Sequence, residues 1–152
     1  MKKITMIALL LLTFVQCGKE LNVNYESLLD TTSANQFYSS EIINLKYIGL
    51  YGTWKVTGTS GGFSGQGYTP TYSHLVIKPY GIYGIVRNDS LISTGKISIR
   101  NQTDSELFVD FISVSSSGNT FFNDKYIQLH NDTLDLISPC CDMFNTHFKK
   151  VK

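Results

Sequence analysis

Residues 51–57 read Tyr51-Gly52-Thr53-Trp54-Lys55-Val56-Thr57, and from here onward the chain follows a period of two. Trp54 and Val56 alternate with Thr53, Lys55 and Thr57, which places apolar side chains on one face of a strand and polar ones on the other. Leu75 and Ile77, set among His74, Val76 and Lys78, repeat the pattern, as do Ile97 and Ile99 within Leu91 to Arg100. Further strands are expected at Ile82 to Arg87, Leu107 to Val114, Phe121 to Leu129, Leu134 to Ile137 and Phe144 to Val151.

Short turn signals separate these runs. Lys78-Pro79-Tyr80-Gly81 has proline at the second turn position, where its fixed φ is already correct. Asn88-Asp89-Ser90, Asn101-Gln102-Thr103-Asp104, Ser115–Asn119 and His130-Asn131-Asp132 supply the others. Most connections are too short for a parallel crossover, so consecutive strands should pair antiparallel. Eight such strands remove their exposed edges by closing into an up-and-down barrel, wide enough for side chains or one small ligand. A sandwich is the competing arrangement. Composition agrees with an all-β domain: 12 glycines, nine tyrosines and nine phenylalanines suit pleated strands and tight turns.

Working back toward the N-terminus, residues 18 to about 45 are polar and irregular, with Asn22, Asn24 and Asp30-Thr31-Thr32-Ser33, and read as a tether with a helical turn around Ser40–Leu45. Before it, Met1-Lys2-Lys3 leads into an apolar run from Ile4 to Val15 and then Gln16-Cys17-Gly18-Lys19-Glu20. Positive charges ahead of a short apolar core make a secretory signal, and the run falls short of the roughly 20 residues a spanning helix needs. Its end on a lone cysteine resembles a bacterial lipobox, with Phe14 and Gln16 departing from the usual pattern; Lys19-Glu20 resembles the outer-membrane export signals of Bacteroidetes lipoproteins. The expected division is therefore a signal peptide over 1–16, a tether over 17–45 and a barrel over 46–152. Several acyl chains of the palmitate kind on Cys17 would anchor the chain stably, where a single chain binds only marginally. Export to the cell envelope follows, on the periplasmic or surface face of the outer membrane.

The net charge of +1 becomes −1 when Lys2 and Lys3 leave with the signal. That balance lacks the basic face of a nucleic-acid binder.

Gly52-Thr53-Trp54 at the first strand of such a meander resembles the Gly-x-Trp motif of the lipocalin and calycin barrels. That resemblance implies that Trp54 plugs one end of the barrel and that a basic residue of the last strand lies across its ring. Phe144, Thr146, Phe148 and Lys150 share one face of the last strand, so Lys150 takes the place of the family's usual arginine. Asp135–Asp142 followed by Phe148-Lys149-Lys150 is similar to the C-terminus of small lipocalin-like lipoproteins of Bacteroidetes. Alternation points Val56, Leu75, Ile77, Ile97, Ile99 and Phe148 inward with Trp54, as the lining of a ligand cavity. Lipocalin-like topology puts its mouth at the Gly61–Gly67 loop, with Ser115–Asn119 and Pro139–Asp142 on the same rim.

Little else carries chemistry. A nucleophile elbow on Ser64 would need glycine where Gln66 stands, and a dinucleotide fingerprint from Gly65 and Gly67 would need glycine at Pro70. Cys140 and Cys141 are adjacent, and outside the cytoplasm they read as a structural vicinal disulfide or as free thiols. Zinc held by Cys140, Cys141, Asp142 and His147 does not match usual ligand spacing, so no metal or cofactor is expected. His74 and His147 point outward, and Asp89, Asp104 and Asp132 sit at turns, so no acid–base pair and no enzyme is expected. Asp89-Ser90-Leu91 and Asp132-Thr133-Leu134 resemble a short O-glycosylation sequence but read first as turn residues. The expected function is a cell-envelope lipoprotein whose barrel binds a small apolar or amphipathic ligand without turnover. The alternative is a filled barrel that meets another protein or a glycan through its loops or outer wall.

Overall fold

A computed structural model describes residues 23–29, 49–102, 107–113, 122, 124–140 and 143–152. Eight strands form one closed antiparallel barrel in sequence order, so the barrel rather than the sandwich is the fold. They are β1 (Gly52–Gly61), β2 (His74–Ile77), β3 (Ile82–Arg87), β4 (Ser90–Gln102), β5 (Leu107–Ser113), β6 (Lys125–His130), β7 (Thr133–Ile137) and β8 (Phe144–Lys150). β8 pairs with β1, with Trp54 opposite Lys150 and Gly61 opposite Phe144. Closure gives every strand a paired neighbour on each side.

Two strands, β1 and β4, run longer than their alternation indicated, β4 by one residue at its start and two at its end. β1 continues through Ser60 and Gly61 because Thr59, Ser60 and Gly61 keep pairing with Thr146, Asn145 and Phe144. The register slips between Val56 and Gly58, where Thr57 is the extra residue. A bulge of this kind reverses which face successive residues take. Before it Trp54 and Val56 face inward; beyond it Thr59 pairs with the buried Thr146, while Gly58 and Ser60 lie on the outer wall. The Pro79 turn is a single 3-10 turn, Pro79–Gly81.

Aromatic packing fills much of the interior. Tyr83 meets Phe111 at 5.1 Å between ring centroids, Phe111 meets Phe122 at 5.1 Å, and Phe122 meets Phe148 at 6.3 Å. Tyr72 stands edge-on to Phe122 at 5.6 Å. Such tilted pairs add about 0.5–1.5 kcal/mol each beyond the area they bury.

A second apolar cluster lies outside the barrel. Val76, Ile82 and Val86 belong to the outward faces of β2 and β3, yet all are buried together with Leu29. Their cover is α1 (Tyr25–Leu29), a short helix inside the stretch expected to be an irregular tether. Five residues cannot hold a helix by themselves, so tertiary packing stabilises it. Gly84 admits the contact, since a Cβ there would lie 2.8 Å from Leu29 Cδ2. The Tyr25 ring lies 4.5 Å from that of His74, and its hydroxyl donates to Asp89 Oδ1 at 2.7 Å. Burial lowers the pKa of His74, which the neighbouring Lys55 reinforces. The helical turn expected at Ser40–Leu45 lies outside the described residues.

Candidate functional site

The barrel has two chemically different ends. At the end where β1 begins, Trp54 is fully buried and its indole Nε1 donates to Leu50 O at 2.8 Å. Lys150 Nζ lies 5.0 Å from the centroid of the Trp54 ring and donates to Gly49 O at 2.8 Å. Its stem crosses Gly52, where a Cβ would come within 3.0 Å of Lys150 Cε. Gly52 also has φ +127°, a conformation that side-chain-bearing residues rarely adopt. The glycine, the indole and the lysine thus form one plug. Beside it a cleft of about 480 Å³ opens between α1 and the barrel, lined by residues that include Tyr25, Glu26, Tyr51 and Lys150.

The opposite end collects polar groups inside the wall. Lys125 faces inward opposite Val109 and is only 6% exposed. Its ammonium donates to Ser138 Oγ and, at 3.1 Å, to Phe144 O; both acceptors are neutral. Among the described residues no carboxylate forms an ion pair with it. Burial holds its pKa below the usual lysine value, with the Asp124 charge pulling the other way. In the connection between β1 and β2 the hydroxyls of exposed Tyr68 and buried Tyr72 meet at 3.3 Å. Burial raises the pKa of Tyr72, the Tyr68 hydroxyl adds to the rise, and Thr146 opposes it. The rim is apolar: Phe63 is fully exposed, and Met143 and Phe144 are partly so, with Phe144 5.0 Å edge-on to Tyr68. From the Gly61–Gly67 connection, Gly62 N donates to Met143 O, just ahead of β8, at 3.2 Å.

Of the residues expected to line a cavity, Leu75, Ile77, Ile97 and Phe148 are buried in the main core and Val56 packs against it half-buried. Ile99 pairs with Val109 through its backbone, and its side chain lies outside the described residues. Cys17, Cys141, Asp142 and Ser115–Asn119 lie outside them too, and with them the lipid anchor, the vicinal disulfide and one rim loop. Cys140 is exposed. Among the described residues no three ligand-type side chains gather as a metal site.

Sequence reading missed two groups. Lys125 shares the period-two face of Ile127 and Leu129, and that alternation is the local signal that could have marked it as inward. The outer wall brings together a second set: His147 Nδ1 lies 2.8 Å from Asp135 Oδ1, and His147 Nε2 lies 2.8 Å from Ser60 Oγ. Asp135 is directly opposite His147 in the β7–β8 register, but Ser60 is 87 residues away from it in the chain. Only the closure of β8 onto β1 places that hydroxyl beside the imidazole. No family model matches the chain, and neither a curated protein nor a solved structure matches it.

Proposed function

We propose that this chain is a cell-envelope lipoprotein of lipocalin-like kind, anchored through Cys17, whose barrel takes the head of a small amphipathic molecule at the Lys125 end and holds it without turnover. One observation carries the reading: a buried ammonium, inward-facing, bonded only to neutral acceptors among the described residues. Burying an uncompensated charge is costly, and an anionic head group entering from the rim would offset that cost. Phe63 and Phe144 offer an apolar landing for a chain at the same rim.

The second reading, a filled barrel that works through its surface, draws on a different observation. The Tyr83–Phe111–Phe122–Phe148 series occupies the interior that a deep ligand would need. The two readings separate by titration with an anthroyloxy fatty acid and with its methyl ester. An amphiphile site requires the acid to bind wild type and to bind Lys125→Met at least tenfold more weakly, with the ester little changed between the two. Val56→Trp, which crowds the interior, should weaken both probes. Absence of probe uptake by wild type would leave the surface-interaction reading in its place.

A further inference from the structure

We infer that Ser60, His147 and Asp135 form a hydrolytic triad on the outer wall, a nucleophilic site for short-chain carboxylic esters separate from the barrel interior. The geometry is that of an activated hydroxyl. A proton on His147 Nδ1 is donated to the Asp135 carboxylate at 2.8 Å, which leaves Nε2 bare to accept the Ser60 hydroxyl proton at 2.8 Å. Each group stands on a different strand, β1, β8 and β7, which pair side by side, so the frame is rigid. A structural hydrogen-bond ladder needs no access, but these side chains have it: His147 is 34% exposed and Asp135 21%.

Space for a substrate lies next to the hydroxyl. Gly58 sits two residues before Ser60 on the same wall, and a Cβ there would meet nothing within 4 Å. Opposite Ser60 stands Asn145, whose Oδ1 is already committed to Ser138 N–H at 2.9 Å. Its remaining amide N–H groups are the side-chain donors that a developing oxyanion would use.

In the first step Ser60 Oγ bonds to the ester carbonyl carbon while His147 Nε2 takes the hydroxyl proton. The carbonyl electron pair moves onto oxygen and returns to expel the alcohol, which leaves with the proton from Nε2. Water then attacks the acyl-Ser60 carbonyl, gives its proton to Nε2, and releases the carboxylic acid as the proton returns to Oγ. Water is the only co-reactant. Ser60 is the nucleophile, His147 the general base and acid, and Asp135 a positioning residue that fixes the tautomer.

The test uses the full-length chain in detergent, treated with a fluorophosphonate probe and mapped by peptide mass, alongside hydrolysis of p-nitrophenyl butyrate. The expected result is an adduct on Ser60 and hydrolysis that falls about a hundredfold in Ser60→Ala and in His147→Ala, with circular dichroism showing an intact fold. Asp135→Asn should slow labelling of Ser60 without lowering thermal stability by more than Ser60→Ala does. A folded wild type whose Ser60 takes no adduct overturns the inference, as does a Ser60→Ala protein that hydrolyses the ester at the wild-type rate. The adduct map needs no variant to fold.

Discussion

The Lys150 ammonium stands 5.0 Å from the Trp54 ring centroid and is held there by a 2.8 Å hydrogen bond to Gly49 O. The relation depends on Gly52, because the lysine stem passes where a Cβ would stand. Trp54→Ala should cost about 3–5 kcal/mol, the range for truncating a buried large aromatic. Gly52→Ala should cost about 1–3 kcal/mol through its positive φ. Lys150→Met should lose about 0.5–2 kcal/mol with the cation–ring contact. Denaturant unfolding of the three variants tests the order; a Gly52→Ala protein as stable as wild type would contradict the backbone strain expected at that position.

The cover of β2 and β3 by α1 makes Leu29 a core residue although it lies outside the barrel. Leu29→Ala should cost about 2–5 kcal/mol and expose Val76, Ile82 and Val86 to a dye that binds apolar surface. Amide exchange should quicken over β2 and β3 while the β7–β8 ladder keeps its protection. Equal quickening over all strands would mean that the helix is not a local clamp.

Alkaline titration separates two buried groups of opposite sign. Tyr83 has its pKa pushed by burial from 10.0 to about 12, with Ser93 only partly offsetting the effect, so the folded state resists its ionisation. The stability it contributes is intact below pH 10.0 and is lost as pH rises toward about 12. Tyr83→Phe should flatten that loss. Lys125 runs the other way: burial depresses its pKa, so the unfolded chain binds its proton more readily in the window below the ordinary 10.5. The penalty is present at neutral pH and relieved as pH rises toward 10.5, so stability should climb there in wild type relative to Lys125→Met. Comparing urea midpoints of the two proteins from pH 7 to 10.5 reads this difference; parallel curves would refute it.

Cys17→Ser should leave the chain without acyl groups, move it from the membrane fraction to the soluble one, and reduce the mass of the N-terminal peptide by the lipid. Unchanged partition and unchanged mass would dismiss the anchor.

Alternation in Trp54-Lys55-Val56, Leu75-Val76-Ile77 and Ile97-Ser98-Ile99, with turn residues between the runs, already marked eight antiparallel strands of an all-β domain, because strand period and turn chemistry are local properties, while closure into a barrel rather than a sandwich rests on β8 pairing with β1. The same locality put Gly52 and Trp54 at the start of the first strand. What alternation could not give was which outward residues are covered: Val76 alternates with the inward Leu75 and Ile77, yet α1, folded only by docking, lies over it. Nor could it give the bulge at Thr57, which reverses the facing of Gly58, Thr59 and Ser60. That reversal, with the closure of β8 onto β1, decides that Ser60 meets His147. This juxtaposition joins residues far apart in the chain, and its distance exists only once the last strand has paired with the first.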